Sequence, residues 1–173
     1  GFYGNALSSF EMLSSQVNNL GVGLFLENMI SNASIDFDGI NFTNCLQNIQ
    51  INNINLSFTC IPQCNGGTPK AANITNVNIN GGNMGVEISN CNFVILNNVN
   101  VVSSITAAVK AVNTILVANI NCNYSGASRA IELDQVNGCY ILGGRIFNNF
   151  IGIAGNMSDV WVRNGAKIDN NFI

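Results

Sequence analysis

One short pattern recurs along this chain: apolar, any, apolar, two turn residues, apolar, any, apolar. Its clearest copy is Val94-Ile95-Leu96-Asn97-Asn98-Val99-Asn100-Val101, and other copies begin at Ile35, Ile49, Ala72, Ile115, Cys139 and Val160. After the first step, from 35 to 49, the copies follow one another at about 21 to 24 residues, a period in the solenoid range. Alternation within each half of the unit is period two, so both halves read as strands. Between them, near the second turn position, stand Gly39, Asn53, Asn76, Asn98, Asn119 and Gly143 or Gly144. Glycine and asparagine are the residues that accept positive φ at little cost. A single unit cannot bury its apolar side, whereas stacked units share one continuous core.

A third strand precedes each later unit: Val86-Glu87-Ile88, Val109-Lys110-Ala111, Ile131-Glu132-Leu133 and Ile151-Gly152-Ile153. Three short strands per turn and one tight Asn/Gly corner describe an all-β, single-stranded parallel β-helix of about seven coils over residues 22–173. Stacking at about 4.8 Å makes the solenoid roughly 34 Å long. In these features the chain resembles the pectate lyase-like superfamily of parallel β-helices, which includes polysaccharide lyases, glycosidases and viral tailspikes. The resemblance implies a right-handed helix, the hand that parallel crossovers favour. It rests on pattern rather than on a diagnostic motif.

Two segments fall outside the repeat. Ala6, Leu7, Phe10, Leu13 and Val17 sit at helical spacing behind Asn5, a residue suited to an N-cap. They predict an amphipathic helix over 6–18, within a cap spanning 1–21 that would cover the strand edges of the first coil. Residues 57–71 contain Pro62, Gly66, Gly67 and Pro69 and read as a loop inserted where a first strand should lie.

Composition narrows the function. About one residue in five is asparagine, and only 9% are charged, against roughly 25% in an ordinary domain. A net charge of −3 gives no basic face for nucleic acid. No apolar run reaches the length of a membrane span. No secretory leader is visible, and the chain opens on Gly1 and closes within repeat-like sequence, so it reads as a segment of a longer protein. There is no histidine, and the six cysteines lack zinc-site spacing, so neither a metal nor another cofactor is expected. Cys60 and Cys64 are close enough for a loop disulfide; Cys122 and Cys139 fall on strand positions suited to a small buried residue, and Cys45 and Cys91 lie just outside the strands. Six Asn-x-Ser/Thr sequons, at Asn32, Asn41, Asn55, Asn73, Asn123 and Asn156, carry little weight for glycosylation, since this asparagine content produces several by chance.

Function is expected on outward positions. On the middle strand these are Asp36, Gln50, Asn73, Ile95, Leu116, Tyr140 and Trp161. The last four would form an apolar ridge, and a contiguous ridge requires an account. It reads as a subunit interface, since the tailspikes that the chain resembles are usually homotrimers, as a sugar-stacking platform, or as a surface covered by a loop. Asn41, Asn55, Asn78, Asn100 and Asn121 are expected to stack as a structural amide ladder, with a glycan-contact role as the alternative. Glu87, Lys110 and Glu132 would stack as a charge ladder of alternating sign.

Catalysis is weakly supported. Glycoside hydrolysis usually needs two carboxyl groups, and the best local pair is Glu132 and Asp134, about 7 Å apart on one strand face, with Glu87 two coils away. Lys110 between the glutamates favours two charged carboxylates, whereas a general acid must carry a proton. The polygalacturonase-like Asp set with Gly-His-Gly and the lyase-like calcium cluster are both absent. The expectation is a non-enzymatic structural or recognition module of a viral fibre, tailspike or surface adhesin. It would be a homotrimer exposed on a virion or cell surface, binding a surface glycan or receptor. The alternative is a polysaccharide-degrading enzyme.

Overall fold

The computed structural model describes residues 1–29, 34–54 and 71–173. It is an all-β parallel solenoid of seven coils, with no helix among the described residues. Coil one comprises β1 (Phe2–Asn5), β2 (Ser9–Leu13) and β3 (Gln16–Asn18), and coil two β4 (Val22–Glu27), β5 (Ser34–Asp38) and β6 (Asn41–Thr43). Coil three holds β7 (Gln47–Asn52), β8 (Ala72–Thr75) and β9 (Asn78–Asn80), and coil four β10 (Met84–Ser89), β11 (Phe93–Asn97) and β12 (Asn100–Val102). In coils five and six the first two strands run together, as β13 (Ala107–Ile120) and β15 (Arg129–Leu142), followed by β14 (Asn123–Ser125) and β16 (Arg145–Phe147). Coil seven is β17 (Ile151–Asn156), β18 (Val160–Arg163) and β19 (Lys167–Asp169).

Inward residues stack in columns. Leu24, Ile49, Val86, Val109 and Ile131 form one column, Ile35, Ala72, Val94, Val117 and Cys139 another, and Phe42, Ile79, Val101, Tyr124 and Ile146 a third. Nearly all are fully buried. Coils turn at three corners, each occupied by a residue at positive φ. The first corner uses Ala6, Asn28, Asn53, Asn90, Asn113, Gln135 and Met157; the second uses Ser14, Gly39, Asn76, Asn98, Asn121, Gly143 and Asn164. The third uses Asn19, Asn44, Gly81, Ser103, Gly126, Asn148 and Asn170. The repeat exposed the second of these to sequence analysis and, of the first, only Asn53.

Three expectations need correction. Residues 6–18 are not a helix: β1, β2 and β3 are a full coil, with Phe10 over Ile35, Met12 over Phe37 and Val17 over Phe42. The helical set leaves Leu7 and Leu13 exposed at 37% and 52%, whereas the period-two set buries Met12 and Val17. Burial against a neighbouring coil therefore outweighs the helical spacing.

The unit at 49–56 is not a middle strand. Ile49 lies between Leu24 and Val86 in the first-strand column, so Gln50 faces Phe25 and Glu87, and Asn53 is a first-corner residue. Coil three thus has its first strand, β7, ahead of the 57–71 segment. All of that segment except Ala71 lies outside the described residues, as do Asn55, Cys60 and Cys64.

Finally, the copy placed at Ile115 begins at Val117, which stacks between Val94 and Cys139. Asn119, expected at a turn, takes an apolar position in the core and is 1% exposed. A similar two-residue shift places Ile153 rather than Ile151 over Ile131.

Candidate functional site

Three outward surfaces deserve chemical consideration. The first is the ridge on the middle-strand face. In true register its line is Ile95, Ala118, Tyr140 and Trp161. Leu116 sits two residues upstream, paired with Phe93 and Gly138, on the same side of the sheet because a slip of two keeps side-chain parity. The Tyr140 and Trp161 rings stack at 4.7 Å between centroids and 15° between planes. Gly138 leaves room for them: a Cβ there would meet the Trp161 ring at 3.2 Å and the Tyr140 ring at 3.5 Å. Ile115, exposed at 43%, extends the apolar surface. Ring stacking in offset geometry contributes about 0.5–1.5 kcal/mol beyond area burial, so the pair is held in place as a flat platform.

The second surface is the outer face of the third-strand sheet, whose amides form a ladder. Asn78 donates to Asn41 at 3.0 Å, Asn100 to Asn78 at 3.1 Å, and Asn123 to Asn100 at 2.8 Å. Asn123 holds the rung assigned to Asn121, because the two-residue slip moves Asn121 to the second corner. Corner ladders run in parallel: Asn53 donates to Asn28 at 2.6 Å, and Asn98 to Asn76 at 2.7 Å, which itself donates to Asp38 at 2.7 Å. Each primary amide has two N–H donors and two acceptor lone pairs. One rung bond on either side leaves half of that capacity pointing outward. Asn41, Asn78 and Asn100 line a shallow groove with Thr43, Asn80 and Val102. Further along the same face Arg145 forms a two-pronged pair with Asp169, at 2.8 and 3.1 Å, and lies 4.4 Å over the Phe147 ring. The Arg145 hydrogen bonds hold the Asp169 carboxyl below the usual carboxylate range.

The third surface is the first-strand charge ladder, where Glu87, Lys110 and Glu132 stand in adjacent coils. Lys110 Nζ lies 3.3 Å from one Glu132 oxygen, and Arg129 donates to the other at 3.2 Å. Gln47 donates to Glu87 at 3.2 Å, and Asn156 to Asp134 at 2.8 Å. Glu132 and Asp134 border one hollow with Arg129, Ala154, Gly155 and Asn156. Glu87 does not border it. Both oxygens of Glu132 are engaged by cations.

Cys45, Cys91, Cys122 and Cys139 are free and buried. Desolvation pushes the Cys91 thiol up to about 11 and the Cys139 thiol up to about 12. No group of three His, Cys, Asp or Glu residues that could hold a metal ion occurs among the described residues. The buried polar cluster was not legible beforehand. Tyr124 donates to Asn119 at 2.7 Å, and Asn119 donates to the Tyr140 carbonyl at 3.3 Å. The irregular copy around Ile115 was its only sequence trace. No protein-family model, curated protein or solved structure matches this chain.

Proposed function

We propose that this chain is a non-enzymatic recognition module of a right-handed, pectate lyase-like β-helix, belonging to a viral fibre, tailspike or surface adhesin. In this reading three copies pack through the ridge, and the amide-lined face stays outward to meet a surface glycan or another receptor. The observation that carries the proposal is the aromatic end of the ridge, Tyr140 stacked on Trp161 over Gly138. An apolar face of this kind on a chain with few charges gains most from burial against another copy. The amide groove suits a neutral, hydroxyl-rich ligand, because it offers donors and acceptors without charge.

Sedimentation equilibrium tests the assembly. The native chain is expected to sediment as a trimer, and Trp161→Asp or Tyr140→Asp as a monomer with an unchanged β-type circular-dichroism spectrum. A native chain that stays monomeric at all concentrations would overturn the assembly. The same preparations, assayed on a panel of surface polysaccharides, are expected to bind without releasing reducing ends. Release that disappears in Glu132→Gln would instead establish the hydrolase reading, for which the shared Glu132–Asp134 hollow is the structural basis.

A further inference from the structure

We propose that Asn164 is a site of spontaneous covalent modification, converting to aspartate and isoaspartate ahead of every other described Asn-Gly pair. The pairs are Asn80-Gly81, Asn137-Gly138 and Asn164-Gly165; Asn65-Gly66 lies outside the described residues.

The reaction requires only the chain and solvent water. The Gly165 amide nitrogen loses its proton and attacks Cγ of Asn164. A new N–Cγ bond closes a five-membered imide, the Cγ–Nδ2 bond breaks, and ammonia leaves carrying that proton. Water then adds to either imide carbonyl. Opening on one side gives aspartate, and on the other isoaspartate, in which the main chain runs through the former side chain. No oxidation or reduction occurs.

Three conditions govern the rate: a following nitrogen free of hydrogen bonds, a backbone free to rotate, and access for water. Gly81 fails the first, since its N–H donates to the Val102 carbonyl at 2.9 Å. Gly138 fails the other two, being buried within β15 beneath the Trp161 ring. Asn164 and Gly165 meet the first and the third. Both are exposed, with φ of 56° and 73°, in a turn closed by Ala166 N–H to the Arg163 carbonyl at 3.2 Å. Among the described residues no hydrogen bond holds the Gly165 N–H, and no atom lies within 4 Å of where its Cβ would be. The cause is local. Coil six crosses this corner with Gly143 and Gly144 between β15 and β16, whereas coil seven uses Asn164, Gly165 and Ala166 between β18 and β19. With the extra residue, the space beside Gly165 Cα is open. Conversion places a new carboxylate beside Arg163 and near Lys167.

The test is peptide mapping by mass spectrometry, with aspartate and isoaspartate resolved chromatographically, after the full chain has aged at mildly alkaline pH, folded and in urea. In the folded chain the peptide carrying Asn164 is expected to convert several-fold faster than those carrying Asn80 or Asn137. In urea the difference should close. Asn164→Gln should abolish the fast conversion, because a six-membered imide forms far more slowly. Asn80 or Asn137 keeping pace in the folded chain would overturn the proposal, as would an Asn164 that stays intact when folded but converts in urea.

Discussion

At the residue scale, asparagine has two tasks that few other side chains combine. Twelve of the seventeen described non-glycine residues at positive φ are asparagine. The left-handed conformation costs most L-residues about 1–2 kcal/mol, and asparagine less. At Asn53, Asn98 and Asn113 its amide also bonds the equivalent amide in the neighbouring coil. The residue after a corner points inward, where a short donor can reach the carbonyl two residues back. Cys91 does so at 3.1 Å, Cys122 at 3.4 Å, Thr114 at 3.0 Å, Ser158 at 2.8 Å and Asn149 at 2.9 Å. That position accounts for three of the four described cysteines, Cys45, Cys91 and Cys122, as small corner residues. Asn98→Ala removes both the favourable conformation and the bond to Asn76, so a loss of about 2 kcal/mol in urea-unfolding free energy is expected. Asn98→Gly should recover the backbone part and lose less. Equal stability of Asn98→Ala and the native chain would refute this account.

At the element scale, side-chain parity survives errors of register that come in twos. The slips at Ile115 and Ile151 misplace rungs, and Ile115, read as inward, is 43% exposed, whereas Tyr140, Trp161, Glu87, Lys110 and Glu132 lie outside the slipped stretches and were legible as outward residues. What hid the true register was Asn119, a polar residue at a core position. Tyr124 explains it: its fully buried hydroxyl needs an acceptor, and Asn119 Oδ1 is 2.7 Å away. Leucine in place of Asn119 would leave that hydroxyl unsatisfied, at about 1–3 kcal/mol. Asn119→Leu is therefore expected to be strongly destabilising alone and much less so combined with Tyr124→Phe. Additive effects in this double-mutant cycle, measured by urea unfolding, would show that the pair is uncoupled. The N-terminal strands show the opposite limit. Ser15 stands where Ile40 stands one coil on, so the pattern lacks an apolar residue, and the helical spacing of Leu7, Phe10 and Leu13 then dominates a local reading.

At the scale of the whole molecule, each coil rests only on its neighbours, and stability is close to a sum of interfaces along one axis. The four buried thiols sample that axis from coil two to coil six. Alkylation of Cys91, which has coils on both sides, is expected to track global unfolding in urea. Labelling of Cys91 in undisturbed native protein would contradict a closed core. The thiols also set a direction for pH. Cys91 and Cys139 stay protonated in the fold up to about 11 and 12, whereas the unfolded chain releases these protons near the ordinary value of 9.0. The unfolded state then binds fewer protons, so stability should be intact below pH 9 and decline as pH rises from there toward 12. A urea midpoint unchanged across that window would refute the linkage.

The sequence by itself determined the architecture: period-two alternation at solenoid spacing, with asparagine and glycine at the turns, leaves burial in a parallel stack as the way to cover every apolar stripe. It also settled which side of most strands faces water, since parity is a local property. Only the tertiary structure decided which residues share a rung, that residues 2–18 form a coil, and that three corners rather than one are left-handed. Those outcomes depend on contacts between residues more than twenty positions apart. A buried amide answering a tyrosine, or a glycine clearing space for a tryptophan, is invisible until the coils are stacked.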